Sequence, residues 1–203
     1  MSARAEFHFD FGSPNAYLSH LVIPQIEART GVKFEYVPVL LGGVFKATGN
    51  VSPAISLQGI KNKGPYQGLE TRRFLAAHGI TSFKNNPHFP VNTLQLMRGA
   101  LVAQREGCAE RYIDEIYRHM WSEPRKLDDP DEFRAALEES ELPVDVILKG
   151  VTEPAIKQQL IANVDASVAR GVFGSPSFFV GEELFFGKDR LRDVEEEVAR
   201  QQR

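Results

Sequence analysis

The segment that most constrains this chain is Phe9 to Leu18, F-D-F-G-S-P-N-A-Y-L, where one periodicity gives way to another within a few residues. Ahead of it Ala5, Phe7, Phe9 and Phe11 recur at every second position, the pattern of a strand. Behind it Tyr17, Leu18, Leu21, Val22 and Ile26 follow at helical spacing. Ser13 and Pro14 lie at the joint. A serine side chain can accept a hydrogen bond from a free N–H of the first helical turn, and a proline at the first helical position loses no hydrogen bond. The same tripeptide, Gly-Ser-Pro, returns about 160 residues later as Gly174-Ser175-Pro176, just ahead of a short apolar run that reads as a buried strand. The expectation is that the fold brings the two tripeptides to one place.

Gly31 closes the first helix, and the alternation of Val32, Phe34 and Tyr36 predicts a second strand up to Val39. Strand, helix, strand is a βαβ unit, whose handedness rule implies parallel pairing. From Leu40 to about Tyr66 the pairs GG, GN, SP and KG read as one long loop, a length that is often functional. Residues Leu69 to Arg170 are almost entirely helical in pattern. One segment ends at His78-Gly79 and a second covers Asn92 to Arg105. A third carries Tyr112, Ile113, Ile116, Tyr117 and Met120 on one face, and others start at Asp128-Asp129-Pro130, after Pro143 and at Thr152-Glu153-Pro154. Ser177 to Val180 and Leu184 to Phe186 then flank a tight turn at Gly181-Glu182-Glu183, and Lys188-Asp189 opens a last helix. The plan is an α/β fold, βαβ…ββα, with residues 1–66 and 171–203 forming one domain around an inserted helical domain, 67–170.

Composition narrows the function. The net charge of −3 and the lack of a long Lys/Arg cluster give no reason to expect nucleic acid. Charged or polar residues interrupt every apolar run, so no membrane span is expected, and the start of the chain lacks the apolar core of a signal peptide. A cytoplasmic protein is the default. A lone cysteine, Cys108, excludes an intramolecular disulfide, a two-cysteine redox pair and a cysteine-rich zinc site within one chain. The five histidines show no metal-ligand spacing, and no Gly-x-Ser-x-Gly elbow makes Ser13 a covalent nucleophile.

The layout βαβ plus ββα, with a helix directly after the first strand and a proline directly before the third, is that of a thioredoxin-like fold. The large helical insertion makes it resemble the DsbA-like branch. Redox members of that branch begin the first helix with Cys-x-x-Cys; here Ser13-Pro14-Asn15-Ala16 stand in those places, which removes disulfide exchange. The string F-D-F-x-S-P-x-x-Y-L further resembles the 2-hydroxychromene-2-carboxylate isomerases and the kappa-class glutathione transferases. Gly49-Asn50, Lys63-Gly64 with Tyr66, Phe89-Pro90-x-Asn92, Gly174-Ser175-Pro176 and Gly187-Lys188-Asp189-Arg190 follow in the order of that family, across essentially the whole chain.

The resemblance implies glutathione as the cofactor, a small aromatic substrate and a homodimer. It implies that Ser13 holds the glutathione thiolate, whose pKa a helix N-terminus and a hydroxyl donor would lower. Pro176 would be a cis-proline that presents the backbone of Ser175 to the tripeptide as a strand edge does. Asn50, Lys63 (with Lys61 as its substitute), Lys188 and Asp189 would hold the rest of the tripeptide, Asp189 by its α-ammonium. Tyr17 and Asn92 would face the substrate. Each has a plainer reading beside this one: Ser13, Asn92 and Asp189 as helix caps, Asn50 and Lys63 as solvated loop residues, Tyr17 as core, and Pro176 as an ordinary trans turn. Cys108 and Trp121 read as structural.

Overall fold

In the computed structural model, which describes residues 3–203, one four-stranded mixed sheet is arranged in the order β2-β1-β3-β4. Strand β1 (Ala5–Phe9) pairs parallel with β2 (Phe34–Pro38) and antiparallel with β3 (Ser177–Val180). β3 in turn pairs antiparallel with β4 (Glu183–Phe186). Helix α1 (Pro14–Thr30) makes the crossover between β1 and β2. Its Ser13 cap accepts from the Ala16 N–H at 3.2 Å, and Gly31 ends it in a left-handed conformation that a glycine adopts without strain.

Strand β1 is buried on both faces. Phe7 and Phe9 stack on each other, with Phe178 of β3 5.3 Å from Phe7. The polar positions between them are buried too. Glu6 accepts from Arg170 at 2.6 Å and pairs with His8 at 2.9 Å, and His8 meets the Ser167 hydroxyl at 2.8 Å. Arg170 and Ser167 lie at the end of α9 (Pro154–Ala169), which covers this face. Burial works to raise the Glu6 pKa, but the bonds from Arg170 and His8 outweigh it and hold the carboxyl below its usual range.

The long loop expected from Leu40 to Tyr66 is instead mostly helical. It holds α2 (Leu41–Thr48), α3 (Pro53–Ser56) and the first turn of α4 (Lys63–His78). The pairs read as breakers serve as helix boundaries: Gly49 is the left-handed end of α2, and Ser52-Pro53 caps and opens α3. Gly43 lies inside α2 on the side that faces Val164 of α9. Two other boundaries shift. β1 ends at Phe9, so Phe11 is buried beyond the strand, and the last helix, α10 (Leu191–Gln201), follows a separate 3-10 turn at Lys188–Arg190.

The remaining helices are α5 (Leu94–Arg105), α6 (Ala109–Trp121), α7 (Pro130–Glu139) and α8 (Val144–Gly150). They share one continuous apolar core with the sheet, in which Tyr117 lies 4.8 Å from Phe11 and Tyr112 6.0 Å from it. α5 and α9 both reach β2, the edge strand. That edge is closed by side chains: Gln104 donates to the Tyr36 carbonyl at 2.8 Å and Asn163 to the Pro38 carbonyl at 3.0 Å. Glu27 accepts from the Phe34 N–H at 2.9 Å, so most of the row that another strand would use is already paired.

Candidate functional site

The two Gly-Ser-Pro tripeptides meet where β1 ends and α1 begins. The Ser13 hydroxyl donates to the Ser175 carbonyl at 2.9 Å across 162 residues of sequence, while its oxygen accepts from Ala16 in the first turn of α1. The Ser175–Pro176 peptide is cis. The Ser175 hydroxyl accepts from the Asp10 N–H at 3.2 Å, so a second bond ties the second tripeptide to the chain just ahead of the first. Ser13 is therefore both a helix cap and a polar group at a helix N-terminus, where partial positive charge favours an anion.

Around this corner the structure gathers other sequence-predicted residues. Asn50, just past α2, donates from its side-chain amide to the Phe173 carbonyl at 2.7 Å, one residue before the second tripeptide. The Gly187 N–H donates to the Pro176 carbonyl at 3.0 Å, which brings Lys188 and Asp189 to the same loop. Asp189 does not cap α10, whose N-cap is Arg190; its exposed carboxylate pairs with the buried Lys188 ammonium at 2.5 Å. The Lys188 ammonium also lies 4.9 Å from the ring of Phe74. Lys188 and Asp189 line a cleft of about 240 Å³ bounded by α1, α4 and α10, with Val22, Phe74 and His78 in its walls. Desolvation, then the charge of Arg29, push the His78 pKa down.

Asn92 precedes α5 and uses its side-chain oxygen to accept from the Leu94 N–H at 3.1 Å. Its neighbour Thr93 packs against Gly12, where an added Cβ would come within 3.2 Å of the threonine methyl. Tyr17 is 3% exposed and points into the core, with its hydroxyl 3.1 Å from Ser82 and its ring beside Tyr117. Lys61 and Lys63 are exposed, Lys63 as the first residue of α4, and neither is tied to the corner.

Trp121, read from the sequence as structural, is buried at the end of α6: it donates its indole N–H to the Phe11 carbonyl at 2.8 Å, and its ring stacks with Phe83 and touches the half-exposed Phe89. Phe89 precedes a second cis-proline, Pro90. Sequence reasoning missed Asp10, whose fully buried carboxylate accepts from the Gly12 and Leu41 N–H groups. Burial raises its pKa against the lowering effect of those bonds and of Thr93. A polar residue in the middle of F-D-F, directly before a helix start, was the available signal.

Three other polar features lie away from the corner. A cavity of about 540 Å³ opens along the capped edge of β2 between α5 and α9. His8 and Ser167 have the spacing of a base and a nucleophile, but Ser167 is 1% exposed and its hydroxyl donates to the Asn163 carbonyl at 2.6 Å. His119, Glu123 and Glu139 come within metal-ligand reach of one another, yet Arg118 pairs with both carboxylates and Arg125 with Glu139, so the group is an ion-pair cluster. Among the described residues no helix is long and apolar enough to cross a membrane.

The corner combines a hydroxyl at a helix N-terminus, a backbone carbonyl beside a cis-proline and a side-chain amide, polar groups that could hold an extended peptide, with the exposed Asp189 carboxylate in the neighbouring cleft. Comparison with known proteins agrees on the fold. The family model described as a DSBA-like thioredoxin domain matches residues 4–199. A protein named 2-hydroxychromene-2-carboxylate isomerase from Sphingobium xenophagum is 29% identical over 200 residues, covering 96% of this chain and 97% of its own. Glutathione S-transferase kappa 1 from Homo sapiens is 24% identical over 204 residues, covering 92% of this chain and 86% of its own. A solved 2-hydroxychromene-2-carboxylate isomerase superposes with a TM-score of 0.83 at 25% identity, covering 98% of this chain and 96% of that one.

Proposed function

The chain belongs to the DsbA-like thioredoxin domain family, and from that premise we propose that it is a glutathione-dependent isomerase. Its substrate would be 2-hydroxychromene-2-carboxylate or a similar aromatic catabolite, converted to the trans-benzylidenepyruvate form by a cytoplasmic homodimer. The observation that carries the reading is the Ser13 hydroxyl, which stands at the N-terminus of α1 and 2.9 Å from the carbonyl before the cis-proline. The family's built-in cysteine is replaced there by a group that can donate a hydrogen bond to a thiolate but cannot be oxidised to a disulfide.

When bound, glutathione would supply a reversible thiolate nucleophile for the enone of the ring-opened substrate, expelled again after rotation so that no thiol is consumed. The chain's part is positional and electrostatic. Ser13 would turn its single proton from the Ser175 carbonyl toward a sulfur anion, while the N-terminal end of the α1 dipole adds partial positive charge. A carbonyl oxygen has two lone pairs, so Ser175 can take an N–H from an extended peptide at the same edge. Asp189 is placed in an open cleft where its carboxylate can exchange Lys188 for an ammonium of the ligand. Phe89 and Asn92 would present an aromatic face and an amide to the substrate at the opposite side of the corner, with Trp121 behind.

A kappa-class-like transferase that conjugates an electrophile is the second reading, favoured by the full-length relatives of that name. It would use the same corner. The test is the absorbance change of the chromene carboxylate with and without glutathione. Glutathione-dependent conversion with no consumption of thiol supports the isomerase, stoichiometric loss of thiol supports the transferase, and no change rejects both for this substrate class.

A further inference from the structure

Asp10 is tied into the corner through both its backbone and its side chain. Its N–H donates to the Ser175 hydroxyl at 3.2 Å and its carbonyl accepts from the Ser13 N–H at 3.0 Å. One carboxylate oxygen accepts from the Gly12 N–H at 2.8 Å and the other from the Leu41 N–H at 2.7 Å. The side chain is 1% exposed, so these bonds cannot be exchanged for water without opening the corner.

The bond to Leu41 matters because Leu41 is the first residue of α2 and the helix's own N-cap, Leu40, has no side-chain acceptor to offer. Asp10 therefore caps α2 from another element. At the far end of that helix, about 12 Å away by helical rise, Asn50 holds the Phe173 carbonyl at 2.7 Å. Phe173 leads into Gly174-Ser175, and Ser175 returns to Asp10 and Ser13. The result is a closed ring: Asp10, α2, Asn50, the cis-proline loop, and Asp10 again. Gly12 is part of the same fit, since a Cβ there would lie 3.3 Å from the Asp10 carboxylate oxygen.

We propose that Asp10 is a positioning residue that sets the height of Ser13 against the cis-proline loop by capping α2 and the Gly12 turn with one buried carboxylate. It touches neither thiol nor substrate and acts through Ser13. The thiol part of this inference rests on the proposed function; the positioning part does not.

Amide hydrogen exchange on the full ligand-free chain tests it directly, comparing wild type with Asp10→Asn. Asparagine keeps one acceptor and turns an NH2 toward the other donor. Exchange at Gly12 and Ser13 should accelerate at least tenfold while that of Ile116 in α6 stays unchanged. If Asp10→Asn does not fold, Leu41→Pro carries the test. Proline suits the first position of a helix and Leu40 is already extended (φ −92°, ψ 112°), so this variant removes the N–H that meets the carboxylate without opposing the helix, and Leu41→Ala, which keeps that N–H, controls for the lost half-buried side chain. Leu41→Pro should accelerate Gly12 exchange about threefold, against the same Ile116 reference. Unchanged exchange at Gly12, or equal acceleration at Ile116, would overturn the proposal.

A double-mutant cycle then asks whether Asp10 acts through Ser13. Asp10→Asn should lower glutathione-dependent kcat about tenfold in the wild type and less than twofold in the Ser13→Ala background. Full additivity means the residue is structural only, which rejects the proposal. If wild type shows no glutathione-dependent turnover at all, the proposed function falls, and the exchange data alone decide the role of Asp10.

Discussion

Gly12-Ser13-Pro14 and Gly174-Ser175-Pro176 are the same three residues put to opposite uses. In the first, proline opens a helix and the serine hydroxyl caps it. In the second, proline is cis and leads into a strand, and it is the serine backbone that faces the first tripeptide. Neither glycine is in the left-handed region, so both are glycines for space. The two diverge in the chain beyond the proline, which has a helical apolar spacing after Pro14 and forms a four-residue strand, SFFV, after Pro176. Local chemistry names the turn residues, and the next element decides what they become.

The largest test of that difference is Ser13→Ala. If the hydroxyl holds a thiolate, kcat should fall about 10² to 10³-fold, the size seen when one anion donor is removed. Glutathione affinity should change about threefold or less, a modest hydrogen-bond effect. The lost cap should cost about 1 kcal/mol of stability. Steady-state kinetics, calorimetric binding and thermal melting separate the three. Ser175→Ala should lower kcat only about threefold, because the Ser175 carbonyl that receives the Ser13 hydroxyl is kept and only the side-chain bonds to the Asp10 N–H and the His8 carbonyl are lost. Equal losses in both variants would erase the distinction between the tripeptides.

The glycines break the comparison on stability instead. A Cβ on Gly174 would stand 2.8 Å from the ring edge of Phe186, which is half-exposed and can turn aside. Gly174→Ala should cost about 1 kcal/mol, the low end for overpacking, and lower Tm by about 2–4 °C. Gly12→Ala meets Thr93 and Asp10 only at 3.2 and 3.3 Å, so its melting point should move less while its turnover falls more. Asn50→Ala loses two exposed hydrogen bonds, to the Phe173 carbonyl and from the Val51 N–H, each worth about 0.5 kcal/mol, and should weaken glutathione binding before it affects folding.

These residues also mark how far the sequence could be read. Ser13, Pro14 and Gly31 declare the limits of α1 because capping chemistry is local. The segment from Leu40 to Tyr66 was opaque for a related reason. Its Gly and Pro residues are signals for helix ends as well as for loops, and what marks α2 as a helix is distant in sequence: the Asp10 carboxylate that meets the Leu41 N–H and the packing of Val44 with Val164. Asn50 was named through family resemblance, but its partner Phe173 lies 123 residues away, a pairing no local pattern encodes. The same holds for Trp121 and the Phe11 carbonyl. Asp10 was hidden by its setting, since a polar residue between two phenylalanines reads as the outer face of a strand that in fact has already ended.

Asp10 also gives the two tripeptides different responses to pH. The first has a buried carboxylate beneath it; the second has none in direct contact. Burial raises the folded-state pKa of Asp10 above its value in the unfolded chain, so across the window above about pH 4 the folded state binds more protons at this group than the unfolded state does. By linkage, this group's contribution to stability is greatest below that window and diminishes as pH rises through it. Asp10→Asn has no such proton to lose. The stability gap between wild type and Asp10→Asn should therefore shift in favour of the variant as pH is raised from about 3.5 to 6, by denaturant midpoints at each pH. A gap that moves the other way would mean that the bonds from Gly12, Leu41 and Thr93 outweigh desolvation, making Asp10 a carboxylate that the corner holds charged.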